Sequence, residues 1–323
     1  MKEEIKKCHK LIEKTKKEIA KIIVGQESII NSLFIALLAN GHVLVEGVPG
    51  VAKTLLIKTM ATASGCSFSR IQFTVDLLPT DITGITVYTK EKGFTIIKGP
   101  IFANFIVADE INRSPPKTQS SLLEAMQERQ TTIGKKTFPL PLPFFVMATQ
   151  NPIETEAVYP LPEAQVDRFL MKLLMYYPNM TEEEEILEKN IELKRFEEYK
   201  IKKVLSPSLI LKMQDLTKRI YISEDVKKYI VRIVDSTRNP KKYDIKLGKY
   251  IEWGGSPRTS IGLFITSKAK ALMEGKDYVT PQHVKDVAHE IMRHRIIISY
   301  EGQAENIKGD EIIDEILSKV PLP

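Results

Sequence analysis

Hydrophobic positions along this chain follow two periods, and up to about residue 178 the two take turns. Over residues 3–23, Ile5, Cys8, Leu11, Ile12, Ile19, Ile22 and Ile23 recur at helical spacing with Lys and Glu opposite them, which predicts an amphipathic helix packed on a core. Val24-Gly25-Gln26-Glu27 breaks it, and residues 28–38 resume helical spacing until Gly41. Residues 42–46 then read as a strand and the periodic run from Leu55 to Met60 as a helix. Residues 68–74 alternate and are rich in aromatic and β-branched side chains, a second strand, and residues 75–83 read as irregular chain or a short helix. Residues 85–89 and 94–97 flank Lys90-Glu91-Lys92-Gly93, a hairpin signal with glycine in the turn.

The run at 105–110 is continuously apolar until Asp109 and Glu110, as expected of a strand buried on both faces of a parallel sheet. Ser114-Pro115-Pro116 predicts a helix start with Ser114 as N-cap. A second hairpin signal surrounds Gly134 at 130–138. Residues 144–151 form another buried strand ending in Asn151, 161–169 a short helix and 169–177 the fifth strand. From Thr181 on only helical patterns follow, starting with four glutamates at a helix N-terminus, where negative charge is favoured. The expected architecture is α/β: an αβα core over residues 1–178, with a five-stranded parallel sheet and hairpin insertions, then an all-helical lid domain over 179–323.

The glycine loop between the first strand and its helix carries the first chemistry. Gly47-Val48-Pro49-Gly50-Val51-Ala52-Lys53-Thr54-Leu55 lies at a strand-to-helix junction, where inward-facing N–H groups and the helix N-terminus make a phosphate cradle. Lys53 is placed to reach the β- and γ-phosphates, and Thr54 to hold a bridging Mg2+. Ala52 stands where the pattern has glycine, and it fits if position 52 has ordinary helical dihedrals. The Asp109–Glu110 pair at a strand's carboxyl end faces this loop, so Asp109 can hold the Mg2+ through water while Glu110 can orient and deprotonate an attacking water. Asn151 is expected level with Asp109 and Lys53.

Composition narrows the class. The chain has 323 residues, 43% of them hydrophobic and 27% charged, enough to bury a sizeable core. Its 47 basic and 41 acidic residues are interspersed, so the net charge of +6 draws no nucleic-acid footprint. Cys8 and Cys66 stand far apart, against a disulfide or zinc framework. The start of the chain has no secretory pattern and no run nears the ~18–20 apolar residues of a membrane span, which points to the cytoplasm.

The order of motifs, from Val24-Gly25-Gln26-Glu27 through the loop at 47–54, Asp109-Glu110-Ile111-Asn112-Arg113, Ala148-Thr149-Gln150-Asn151-Pro152 and Leu161-Pro162-Glu163-Ala164-Gln165-Val166-Asp167-Arg168-Phe169 to Gly255-Ser256-Pro257-Arg258, resembles an AAA+ ATPase of the MoxR family from about residue 20 to about residue 298. The resemblance makes 47–54 a Walker A loop ending in the family's own Ala-Lys-Thr form, and Asp109 and Glu110 a Walker B pair. It makes Asn151 sensor 1, Arg168 an arginine finger and Arg258 sensor 2, with Val24 and Gly25 on the adenine side. It implies ATP and Mg2+ as cofactors, a homo-oligomeric ring, hexameric, and chaperone-like maturation of a protein client beside a von Willebrand factor A domain partner. The segment 154–159 departs from the family's usual Gly-Thr-Tyr, which leaves that loop's conformation open.

Two other functions compete with this reading. A nucleic-acid motor would use hairpin lysines such as Lys90, Lys92 and Lys98, but Glu91 interrupts them and no aromatic interleaving marks a strand-binding groove. A nucleotide-gated scaffold without turnover would not need Glu110, Asn151 and Arg168. His289 and His294 are five residues apart, on diverging helix faces, unlike zinc ligands. Trp253-Gly254-Gly255 reads as a lid turn, and Ser256 has no suggested general base.

Overall fold

A computed structural model of the chain describes residues 1–91, 93–151, 159–190 and 195–323. The first apolar stripe folds as the helix Lys2–Ile19, with Ile5, Cys8, Ile12, Thr15 and Ile19 buried along one side. Gly25 and Gln26, both at positive φ, turn the chain into the helix Glu27–Leu38.

Nine strands follow: β1 (Val43–Gly47), β2 (Phe68–Gln72), β3 (Gly84–Thr89), β4 (Gly93–Lys98), β5 (Phe105–Asp109), β6 (Gln130–Ile133), β7 (Lys136–Pro139), β8 (Phe145–Gln150) and β9 (Met171–Met175). In the spatial order β2-β5-β8-β1-β9 five of them make a parallel sheet. Successive residues of a strand face opposite ways, and the core divides accordingly. Val43, Val45, Phe105, Val107, Phe145 and Met147 join one apolar cluster, whereas Leu44, Ile106, Ala108, Val146 and Ala148 join another. The first is covered by the helices Lys2–Ile19, Glu27–Leu38 and Lys53–Ala63, the second by Pro116–Glu128. Burial on both faces is why these strands are continuous apolar runs.

The two hairpins, β3–β4 and β6–β7, pair antiparallel outside the main sheet. They stand against each other: a Cβ on Gly134, at φ +62°, would come within 2.9 Å of Thr86 Oγ1. Lys98 is held over the rings of Phe102 and Phe138, at 4.6 and 5.4 Å, which ties one hairpin to the other. Lys92, at the turn, lies outside the described residues.

Helices dominate the C-terminal region, and the buried sides of Pro207–Arg219, Glu224–Arg238, Pro257–Met273 and Gly309–Lys319 belong to the same cluster as the first face of the sheet. The region is not purely helical. β10 (Ile251–Trp253) pairs antiparallel with β11 (Ile297–Ile298), so Trp253, expected in a turn, ends a strand. Strands of three and two residues are too short for alternation to show. Two further expectations shorten: the helix predicted at 161–169 forms only over Glu163–Val166, and β9 stops at Met175, where its partner β1 ends. Ser114 does not cap its helix; Pro115 takes that place, and the buried Ser114 hydroxyl turns back to Ile111 O at 3.5 Å.

Candidate active site

The glycine loop starts at Gly47, which pairs with Met175 of β9. A Cβ on Gly47 would lie 2.6 Å from the Met175 carbonyl oxygen, so only glycine fits beneath the loop. Gly50 follows at φ +83°. Ala52 does not have the helical dihedrals expected of it: its φ of 58° and ψ of 29° are left-handed. The missing glycine therefore leaves a conformation that costs an alanine about 1–2 kcal/mol. The helix Lys53–Ala63 begins immediately after, and the Lys53 ammonium folds back to donate to Gly47 O at 2.6 Å.

Parallel pairing brings the carboxylates to the loop. Thr54 Oγ1 donates to Asp109 Oδ2 at 3.3 Å, and Thr149 Oγ1 donates to Asp109 Oδ1 at 2.7 Å while accepting the Glu110 N–H at 2.9 Å. Thr149, one strand over on β8, thus fixes both residues of the acidic pair, a role the sequence did not single out. Glu110 has left-handed backbone, φ 56°. Its Oε2 accepts from Gln72 Nε2 at 2.8 Å and from Arg113 Nη1 at 2.9 Å. Arg70, also on β2, donates from Nε and Nη2 to Asp109 Oδ2 at 3.1 and 2.8 Å. Asn151 is buried just beyond β8, whose Gln150 pairs with Glu46 of β1, so it lies level with the loop.

Val24 and the loop residues Gly50, Val51, Ala52 and Leu55 share a cavity with Ile186, Phe196 and Tyr199. It is an apolar slot with aromatic walls, of the size and chemistry that takes a heterocyclic base. Gly25, at φ +64°, packs so tightly on the Glu182 side chain that a Cβ would lie 2.3 Å from its carboxylate oxygen. Phe196 and Tyr199 carry no motif, and only folding brings them here. For a cation, the hydroxyl of Thr54 and the carboxylate of Asp109 are hard oxygen donors suited to Mg2+, which takes its other ligands from phosphate and water. Among the described residues no cluster of three or more His, Cys, Asp or Glu forms a complete protein cage.

Arg168 and Arg258 are not in this site. Arg168 precedes β9, and Met171 of β9 pairs with Val43, the first residue of β1, whereas Gly47 closes its other end. A five-residue strand, about 13 Å long, therefore separates Arg168 from the loop end of the sheet. Its exposed guanidinium shares a cleft with His42, Arg129, Asp167, Arg258 and Arg295. Arg258 pairs with Asp167 at 3.3 Å, and Ser256 Oγ donates to the same carboxylate at 3.3 Å. That places Ser256 in a structural contact.

Beneath the cleft, Arg295 is buried and uses all five of its N–H donors: Nε to Asp167 Oδ1 at 2.7 Å, Nη1 to Leu170 O and Ile291 O at 3.0 and 2.7 Å, Nη2 to Asp167 O and Phe169 O at 3.2 and 2.8 Å. It clamps the 167–170 segment to the C-terminal helices, and nothing in its local sequence marks it. His294 bonds Phe169 O at 3.1 Å and His289 bonds Asp314 at 2.9 Å, so the two imidazoles serve different contacts. Burial, reinforced by neighbouring Arg295, holds the His294 pKa well below its ordinary value. His42 is depressed to about 4, first by burial and then by Arg129. Its Nδ1 accepts from Val146 N–H and its Nε2 faces Met126 O, both at 3.1 Å, so the neutral ring with the proton on Nε2 is the form that fits.

Known proteins resemble this chain. Residues 42–171 match the model of the ATPase family associated with various cellular activities, and residues 248–316 that of the AAA lid domain. The chain is 46% identical to Chaperone MoxR1 of Mycobacterium tuberculosis, over 95% of this chain and 81% of that one. It is 42% identical to the uncharacterized protein YeaC of Bacillus subtilis, over 98% and 96%. A crystal structure from Cytophaga hutchinsonii superposes with a TM-score of 0.93 at 45% identity, covering 99% of this chain and 97% of that one.

Proposed function

Because the chain belongs to the MoxR family of AAA+ ATPases, we propose that it hydrolyses Mg-ATP and couples the reaction to remodelling or maturation of a protein complex. In this reading the 47–55 loop cradles the phosphates, Lys53 leaves Gly47 O for the β- and γ-phosphates, and Val24 and Gly25 border the base. Thr54 and Asp109 would hold Mg2+, which when bound would supply charge neutralisation at the phosphates. Glu110 takes the proton of the attacking water, and Asn151 orients that water or the γ-phosphate. Gln72 of β2 and Arg113 both donate to Glu110 Oε2, which orients the carboxylate and leaves Oε1 to take the proton.

The observation that carries this reading is the hydrogen-bonded set Thr54–Asp109–Thr149–Glu110, which puts a loop hydroxyl and two carboxylates at one end of the sheet. Arg168 and Arg258, at the opposite end, are offered to a neighbouring subunit, which fits a homo-oligomeric ring, hexameric in this proposal. The lid would comprise 179–323 and the core 1–178. A protein client, a von Willebrand factor A domain partner and a cytoplasmic location complete the proposal; among the described residues no helix is long and apolar enough to cross a membrane. The test separates binding from chemistry. Glu110→Gln is expected to bind Mg-ATP within a few-fold of wild type while phosphate release falls by about 10²–10⁴, and Lys53→Ala to lose binding. Unchanged release in Glu110→Gln would remove Glu110 from the reaction.

A further inference from the structure

We propose that Arg70 is a placeholder for the divalent cation: its guanidinium holds the cation-binding carboxylate in place and is displaced when metal is taken up with nucleotide. The inference rests on the Mg-ATP reading above and assigns a residue that none of the motifs includes.

Two Arg70 donors, Nε and Nη2, meet a single oxygen, Asp109 Oδ2, at 3.1 and 2.8 Å. That oxygen also accepts from Thr54 Oγ1 at 3.3 Å, so it is the one facing the loop hydroxyl. The other, Oδ1, is held by Thr149 at 2.7 Å and is part of the strand framework. The carboxylate thus presents one oxygen to the site, and a positive group already sits on it. A guanidinium on that oxygen repels a divalent ion by like charge and competes with it, or with the water through which Asp109 can hold it, so uptake of the metal disfavours the pair.

Arg70 is free to leave. Its side chain is 50% exposed against 15% for Asp109, and its other contact is the flexible Gln72 amide, whose Oε1 accepts from Nη2 at 2.5 Å. Arg70 and Gln72 are two apart on β2 and so share a face. Gln72 in turn donates to Glu110 at 2.8 Å, so the strand that gives up Asp109 also grips the water-activating carboxylate. Displacement of Arg70 therefore loosens Gln72, one of the two donors to Glu110 Oε2 beside Arg113, and so links metal uptake to the setting of the base.

A half-exposed ion pair of this kind lowers apparent metal affinity by about two- to five-fold, through the fraction of molecules whose carboxylate is free. The experiment is a Mg2+ titration of the full-length protein with a fluorescent N-methylanthraniloyl ADP, with affinity in EDTA as the reference. Arg70→Gln is expected to reach half-saturation at about two- to five-fold lower Mg2+ than wild type, with Arg70→Lys between them and melting temperatures alike. A half-saturating concentration in Arg70→Gln equal to or above the wild-type value overturns the placeholder, the latter because it would make Arg70 a helper of the metal or the phosphates. If wild type itself gains no nucleotide affinity from Mg2+, the Mg-ATP reading fails and the placeholder with it.

Discussion

The two ends of the central sheet are built on opposite plans. At the carboxyl end, Lys53, Asp109 and Glu110 each have a partner within the chain, and the groups that would meet a nucleotide are held by Gly47, Thr54, Arg70, Gln72, Arg113 and Thr149. At the amino end, one arginine is buried and saturated while another is exposed: Arg295 spends every donor inside the fold, and Arg168, five strand residues away from the loop, points to solvent. One end gathers a glycine loop and two carboxylates, and the other an arginine-lined cleft. In the proposed function these are two halves of one phosphoryl-transfer site, too far apart within one chain, which is the physical argument for proposing assembly.

The sharpest way to break this comparison is to show that Arg168 serves its own loop. Arg168→Ala is expected to bind ATP yet lose turnover by about 10³–10⁵, as for arginine fingers in related NTPases. Mixed with Lys53→Ala protein it should regain part of that turnover, because some interfaces then pair an intact pocket with an intact arginine. A mixture no more active than its components, with co-assembly confirmed, places the arginine in its own subunit.

A smaller effect tests whether Arg295 anchors the amino end. Arg295→Met removes the partner of Asp167 Oδ1, while Arg258 and Ser256 still meet Oδ2, and leaves several buried carbonyls without their donor. It is expected to cost about 3–5 kcal/mol in urea unfolding. Nucleotide affinity measured well below the melting temperature should stay within a few-fold, since no part of the clamp touches the loop. Loss of binding in a still-folded variant would erase the independence of the two ends.

The mildest test is acid. The His42 pKa is about 4 in the folded chain, against about 6.5 unfolded. Between those values the unfolded chain binds more protons, so stability falls as pH drops from 6.5 towards 4, with about 2 kcal/mol lost by pH 5. His42→Gln, whose amide can accept from Val146 and donate to Met126, should be less stable at pH 7 but lose less between pH 7 and 5. An unchanged pH dependence would relieve His42 of this role.

Much of the carboxyl end was legible along the chain, because its chemistry is local. A glycine loop between a strand and a helix, and two acids closing an apolar run, each lie within a few residues, and period and spacing report such neighbours directly. The parallel sheet was legible for a related reason: strands buried on both faces become uninterrupted apolar runs. The left-handed backbone of Ala52 was not, since a residue type restricts φ but does not reveal it. The two-stranded ribbon of β10 and β11 joins segments more than forty residues apart, with too few residues in either to show a period.

By itself, then, the sequence determined which residues could handle phosphate, metal and water, and that the chain would form an αβα core followed by helices. Tertiary structure decided who meets whom. Strand register put Thr149 under both acids and Arg70 and Gln72 beside them, and packing put Phe196 and Tyr199 at the loop's cavity. It also sent Arg168 and Arg258 together to the far end of the sheet, joined through Asp167 and clamped by Arg295. Those pairings span roughly forty to one hundred and thirty residues of chain, and hydrogen bonds of such separation depend on register and packing that no local spacing encodes.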